Sequence, residues 1–217
     1  MRAPALLGLC LWSCAAAATA HALSAGDVVP RVQERFDATK DLTASVDQEL
    51  VVASAGKTLH ATGTVAFKRP GKMRWQLANG DTQVIVADGA TLWFYQPEEK
   101  QVLKAPFRAA FRSSTPVSFL TGVGRLSEDF DVQLDGEGDG VIYLALRPRK
   151  AEGELGRLRL TVDAKSYDIV GAEVADPLGN ITRLRFSDLR RNTGLDDAQF
   201  KFDVPPGVDV IEAPIGN

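Results

Sequence analysis

The chain has 217 residues, 45% of them hydrophobic and 24% charged, with a net charge of −3. That is ordinary globular composition, with room for one domain with a real core or two small ones. The slight acidity excludes a nucleic-acid partner, which needs a clustered basic excess.

The first 22 residues differ from the rest. Arg2 supplies a basic start, residues 6–12 form a short apolar run, and "AAAATAHA" ends in Ala20-His21-Ala22. This order of charge, apolar core and small-x-small site reads as a secretory signal cut after Ala22, and it predicts an exported protein. A retained membrane anchor is the alternative, disfavoured by Pro4 and by the weak hydropathy of alanine. Residues 23–217 then read as one mature domain.

Both cysteines, Cys10 and Cys14, lie in that leader. A mature chain from Leu23 has no thiol, hence no disulfide, thiolate nucleophile or cysteine metal site. Lipidation of Cys14 is a rival reading, but Leu11-Trp12-Ser13 departs from the Leu-small-small triplet that should precede it. His21 is also in the leader, which leaves His60 as the one mature histidine. Two-histidine zinc sites are excluded, and a Ser-His-Asp triad would have to use His60. His60 sits on the polar side of an alternating strand, "KTLHATGTVAF", and reads as a surface residue. The sequence thus predicts no catalytic residues, no metal and no cofactor. "GKT" at 56–58 lacks the earlier glycine of a phosphate loop. "DGEGDG" at 135–140 has Leu146 where a calcium loop needs glutamate.

Residues 27–41 predict the one long helix, capped by Asp27, with Pro30 in the first turn and an apolar stripe of Val28, Val32 and Phe36. From about residue 44 the pattern becomes a dozen short strands separated by turn chemistry, the last at 199–203. Without helices between neighbours, they imply an antiparallel sheet that wraps. Residues 105–126 break the rhythm. Thr115-Pro116 and Gly122 bracket a short helix at 116–121, inside an insertion that reads as a lid or binding segment.

Parity groups the strand faces. A three-residue loop, 70–72, pairs Arg69 with Met73, Phe67 with Trp75 and Val65 with Leu77, which keeps the faces clean. A two-residue turn at Asp88-Gly89 groups Ile85 with Leu92, and Phe94 shares that face. Trp93 and Tyr95 take the other, where their polar handles meet water. The inward set is Phe67, Met73, Trp75, Leu77, Ile85, Leu92 and Phe94. Two readings stay open. Either this is a filled core with Arg69 snorkelling at its rim, or the curved sheet leaves a cavity for an apolar ligand.

Four stretches, "FKRPGKMRW", "VADGATLWFYQP", "STPVSFL" and "FKFDVPPGVDVI", resemble in order the LolA family of lipoprotein carriers. The resemblance covers essentially the whole mature chain. Met73 stands where some members carry an aromatic, Gly71-Lys72 makes the turn more basic, and the lid after Pro116 matches only in character. The resemblance implies a single incomplete antiparallel β-barrel of about eleven strands, mainly β, closed by an N-terminal helix and a short helical insertion. It implies a periplasmic monomer, not an enzyme, that binds the acyl chains of lipoproteins in the cavity formed by the seven inward residues. Cargo would come from an inner-membrane ABC transporter and pass to an outer-membrane receptor. Arg69 corresponds to the family's latch, which bonds to lid backbone. Val28, Val32, Phe36, Phe111, Val117, Phe119 and Leu120 would form the lid. A LolB-like outer-membrane receptor or an envelope sensor of the same fold is the alternative.

Overall fold

Residues 23–78, 82–107, 125–149 and 157–213 are described by a computed structural model. Helix α1, Ala25–Asp37, is followed by β1, Asp41–Val52, and β2, Lys57–Lys68. A meander of shorter strands comes next: β3 (Lys72–Ala78), β4 (Gln83–Asp88), β5 (Thr91–Gln96) and β6 (Gln101–Pro106). After a one-turn helix at Leu126–Asp129 come β7 (Phe130–Gly138), β8 (Val141–Pro148), β9 (Arg157–Asp163), β10 (Ile169–Ala175) and β11 (Ile181–Arg191), and finally β12 (Asp209–Glu212).

All twelve strands form one sheet, in the order β12-β6-β5-β4-β3-β2-β1-β11-β10-β9-β8-β7. The meander is antiparallel throughout, as its short turns require. β12 departs from the expectation by running parallel to β6, with Val210 opposite Val102. The ends of this order, β12 and β7, do not pair with each other, so the barrel is incomplete.

The sheet curls tightly. Trp75 on β3 and Phe186 on β11 are separated by β2 and β1, a flat distance of roughly 14 Å at 4.7–4.9 Å per strand. Their ring centroids are 6.1 Å apart, edge to face. The concave face therefore meets itself. Inward side chains alternate along the strands as a sheet buried on one face demands: Met73, Trp75 and Leu77 on β3, Ile142, Leu144 and Leu146 on β8, and Leu158, Leu160 and Val162 on β9 are all buried. Val28 and Val32 of α1 complete this core and are 0% exposed. At Gly63 a Cβ would overlap the Gln76 carbonyl oxygen, so β2 and β3 can sit this close only because that side chain is missing.

Several sequence expectations need correction. The helix starts at Ala25 and stops four residues short of Asp41. Its cap is Ser24, and Asp27 is the third helical residue, accepting the Ser24 N–H at 3.1 Å and the Ser24 hydroxyl at 2.5 Å. The β2–β3 loop is Arg69-Pro70-Gly71, so Phe67 faces Met73 and Val65 faces Trp75, a register two residues from the expected one. β4–β5 likewise pairs Ile85 with Phe94 and Ala87 with Leu92. Both shifts are even, so each residue keeps its face.

The expected strand at 199–203 is instead a 3-10 turn, Asp197–Phe200, followed by irregular chain that lies across the outside of the meander. Phe202 stacks near Trp93 and Tyr95, at centroid distances of 6.1 and 5.7 Å. Val86 and Val102 are fully buried on that outer side, and Phe200 nearly so. Trp93 and Tyr95 thus face a second apolar layer rather than open water.

Candidate functional site

The β2–β3 turn places Arg69 against the end of α1. Its backbone N–H donates to the Lys40 carbonyl at 2.9 Å, which ties the turn to the α1–β1 connection. The guanidinium then reaches the last helical turn. Nη2 donates to the Phe36 carbonyl at 2.8 Å, the guanidinium carbon lies 4.0 Å over the centre of the Phe36 ring, and Nη1 is 3.7 Å from the Asp37 carboxylate. The final carbonyls of a helix lack intrahelical partners and carry its negative dipole end, so a cation is favoured there. Burial pulls the Arg69 pKa down, and Asp37 opposes that.

Gly71 sets the geometry of this turn. It has φ +67°, and a Cβ there would press on the Phe107 ring at 3.1 Å. Phe107 is buried, and its N–H donates to the Ala90 carbonyl at 2.8 Å. The turn that carries Arg69 is therefore packed on the residue from which the 108–124 segment departs.

The opposite wall holds α1 as well. Arg35 grips Asp168 with two nitrogens, at 3.0 and 3.3 Å, and Arg191 approaches the same carboxylate at 3.3 Å. Arg31 donates to the Tyr167 hydroxyl at 2.6 Å and sits 5.1 Å from the centre of its ring. Tyr167 holds a left-handed φ of +59°, an uncommon state for an aromatic residue and one that a protein retains where the surrounding contacts demand it. Further along α1, Gln33 accepts the Leu126 N–H at 3.0 Å and fixes the middle of the helix to the short helix.

Between these two walls, beneath the C-terminal half of α1, lies a cavity of about 60 Å³. Val32, Phe36, Leu42, Val65, Phe67 and Phe186 are among its apolar lining residues. Small-molecule pockets typically span roughly 300–1,000 Å³, so this seam is several times smaller than a pocket that takes a ligand. Of the seven inward residues, Phe67 lies on the cavity wall, whereas Met73, Trp75 and Leu77 are packed in the core. Ile85 and Leu92 are partly buried against that core, and Phe94 is half-buried on the same face. Val32 and Phe36 contribute the helix side. Phe111, Val117, Phe119 and Leu120 lie outside the described residues.

The site is thus a narrow apolar seam under a helix, with an arginine on a carbonyl of the helix's last turn. The family model described as outer membrane lipoprotein carrier protein LolA matches residues 37–203. The chain belongs to the LolA family. It is 33% identical over 198 residues to the outer-membrane lipoprotein carrier protein of Chromobacterium violaceum, covering 89% of this chain and 95% of that one. It is 31% identical over 189 residues to that of Dechloromonas aromatica strain RCB, covering 87% and 89%. Among solved structures, an uncharacterized conserved protein from Thermus thermophilus superposes with a TM-score of 0.54 at 16% identity, covering 87% of this chain and 99% of that one. At that identity the superposition speaks to fold alone.

Within this LolA-family chain, sequence reasoning missed the wall formed by Arg35, Tyr167, Asp168 and Arg191. The pairing depends on bringing together residues 133 positions apart. No helix among the described residues is long and apolar enough to cross a membrane.

Proposed function

We propose that this chain is a periplasmic carrier that hides the acyl chains of lipoproteins against the concave face of its sheet, with α1 as a lid and Arg69 as its latch. The observation that carries the reading is the 2.8 Å bond from Arg69 to the Phe36 carbonyl at the rim of the apolar seam. Cargo is received from an inner-membrane ABC transporter and passed to an outer-membrane receptor, and no chemical step occurs.

The energetics support this reading. Each buried CH₂ contributes about 0.8 kcal/mol, so the acyl chains of one lipoprotein favour burial by on the order of tens of kcal/mol. Release without a fuel requires a competing state of the empty carrier. Closure of α1 over its own seam supplies that state, because Val28, Val32 and Phe36 bury the same sheet face that cargo would cover. A hydrogen bond to a charged group contributes about 1.5–3 kcal/mol, strong enough to bias closure and weak enough to reverse.

The test is native mass spectrometry of the protein purified from the cell envelope. Acylated polypeptide bound at one-to-one stoichiometry is the expected result. Protein that stays empty after incubation with a diacylated or triacylated lipopeptide overturns the proposal.

A further inference from the structure

The rim of the seam is cation-rich in a way that lid closure alone does not explain. Among the described residues, five basic ones, Arg35, Lys40, Lys68, Arg69 and Arg191, line the cavity, against two lining carboxylates, Asp41 and Asp168, and Asp37 of α1, 3.7 Å from Arg69. Asp41 is already committed to the backbone, accepting the N–H groups of Thr193 at 2.7 Å and Gly194 at 3.0 Å. Asp168 is shared by two arginines. Lys68 shares Asp197 with Lys72, each at 2.5–2.6 Å. Twice, then, one carboxylate serves two cations, and positive charge is left over at the mouth of an apolar slot.

Lifting α1 exposes this excess. Arg35 and Asp37 leave with the helix, because they belong to it, while Arg69 in the β2–β3 turn stays with the sheet, as do Arg191 at the end of β11 and Asp168 beside it. Arg69 loses the Phe36 carbonyl, its 2.8 Å acceptor, and the ring that covers its face. A partly buried guanidinium without an acceptor is unfavourable, and an anion with two or more oxygens satisfies its planar fork better than a carbonyl does. The place vacated by Phe36 is apolar on the inside and cationic at the lip. It suits one chemistry: an acyl chain with an anionic head.

We propose that the opened seam also takes anionic acyl amphiphiles, with the chain along Val65, Phe67 and Phe186 and the head on Arg69, assisted by Arg191. This rests on the carrier reading in that both require α1 to lift. The head can be a carboxylate, as in a free fatty acid, or a phosphodiester, as in an anionic phospholipid.

The experiment measures direct binding of three ligands with the same chain: palmitate, palmitoyl lysophosphatidylglycerol and the uncharged monopalmitoylglycerol, with a diacylated lipopeptide in parallel. The expected result is that at least one anionic ligand binds about tenfold or more tighter than the uncharged one, with the gap narrowing as salt rises. Preference for palmitate alone assigns the head site to carboxylate, and preference for the lysolipid alone assigns it to phosphodiester. In Arg69→Gln and Arg191→Gln the anionic-to-neutral ratio falls toward one, whatever the absolute affinities, while Arg69→Lys retains much of it. Equal binding of all three ligands overturns the inference, as does a preference that survives both glutamine variants. If the lipopeptide binds and the anionic preference is absent, this inference alone fails. If no acyl ligand binds, the carrier reading fails with it.

Discussion

Arg69 touches Phe36 in two ways, donating to its carbonyl at 2.8 Å while stacking 4.0 Å above its ring. The carbonyl belongs to the helix end and the ring to the seam beneath it, so one side chain contacts both. Movement of α1 breaks both contacts together.

Replacing Arg69 with leucine removes them while leaving the strands of the sheet unchanged. Under the proposed carrier reading, closure and cargo compete for the same sheet face, so weakening closure by about 1.5–3 kcal/mol is expected to raise cargo affinity by about tenfold or more. Arg69→Leu is expected to bind a lipopeptide more tightly and to hand it over more slowly. Equilibrium titration and a two-component transfer assay check this, and wild-type values in both would remove the latch role.

Asp168 tests the other wall. Asp168→Asn weakens its bonds to Arg35 and Arg191 and frees the C-terminal half of α1 on that side. Arg35 is 36% exposed, so the effect is expected to be smaller than for Arg69, of the order of the 0.2–1 kcal/mol measured for solvent-accessible pairs. Hydrogen exchange at the amides of residues 33–37 should speed up by about two- to fivefold. Unchanged exchange there would show that the wall does not hold the helix.

Gly63 carries a purely structural prediction. Because a Cβ would overlap the Gln76 carbonyl, Gly63→Ala must push β2 from β3 or distort both. Overpacking of this kind typically destabilises by about 1–3 kcal/mol, and here the obstacle is backbone rather than a side chain that can turn aside. Urea denaturation should show a loss at the upper end of that range, and a neutral substitution would contradict the close approach of the two strands.

Acid should loosen the joint between β1 and the chain after β11. Burial pushes the Asp41 pKa up, but the N–H groups of Thr193 and Gly194 and the Thr193 hydroxyl pull it further down, leaving it below the ordinary 3.8. The ammonium groups of Lys68 and Lys72 hold Asp197 at about 2. Carboxylates with depressed folded-state values stabilise the fold above the ordinary carboxylate range, and that stability is lost as pH falls from about 4 toward 2. The urea midpoint should drop across this window in the wild type and drop less in Asp41→Asn, and identical slopes would contradict the assignment.

The strand pattern was legible because a sheet buried on its concave side writes its burial directly into alternation, as at Met73, Trp75 and Leu77. Face survived where register did not, since both register shifts at Arg69-Pro70-Gly71 and at Gly89 were even. The outer layer was not legible. Val84, Val86 and Val102 alternate with the inward residues, so β4 and β6 read as apolar on both sides, and nothing local announces that Phe200 and Phe202 return from about a hundred residues away to cover them. The motif at Arg69 could be read because its turn is local. The Arg35–Asp168 contact could not, because an ion pair between an ordinary helix face and an ordinary turn leaves no periodic trace.

The central claim is that α1 lifts to admit cargo. Both cysteines, Cys10 and Cys14, precede Leu23, so a chain expressed from Leu23 carries no competing thiol and spin labels can be placed cleanly on cysteines introduced at Glu34 on α1 and Lys57 at the far end of β2. Pulsed dipolar spectroscopy should give one narrow distance for the empty protein and a distance displaced by several ångströms when lipopeptide is bound. The same narrow distance in a fully loaded sample would show that acyl chains are held without movement of the helix.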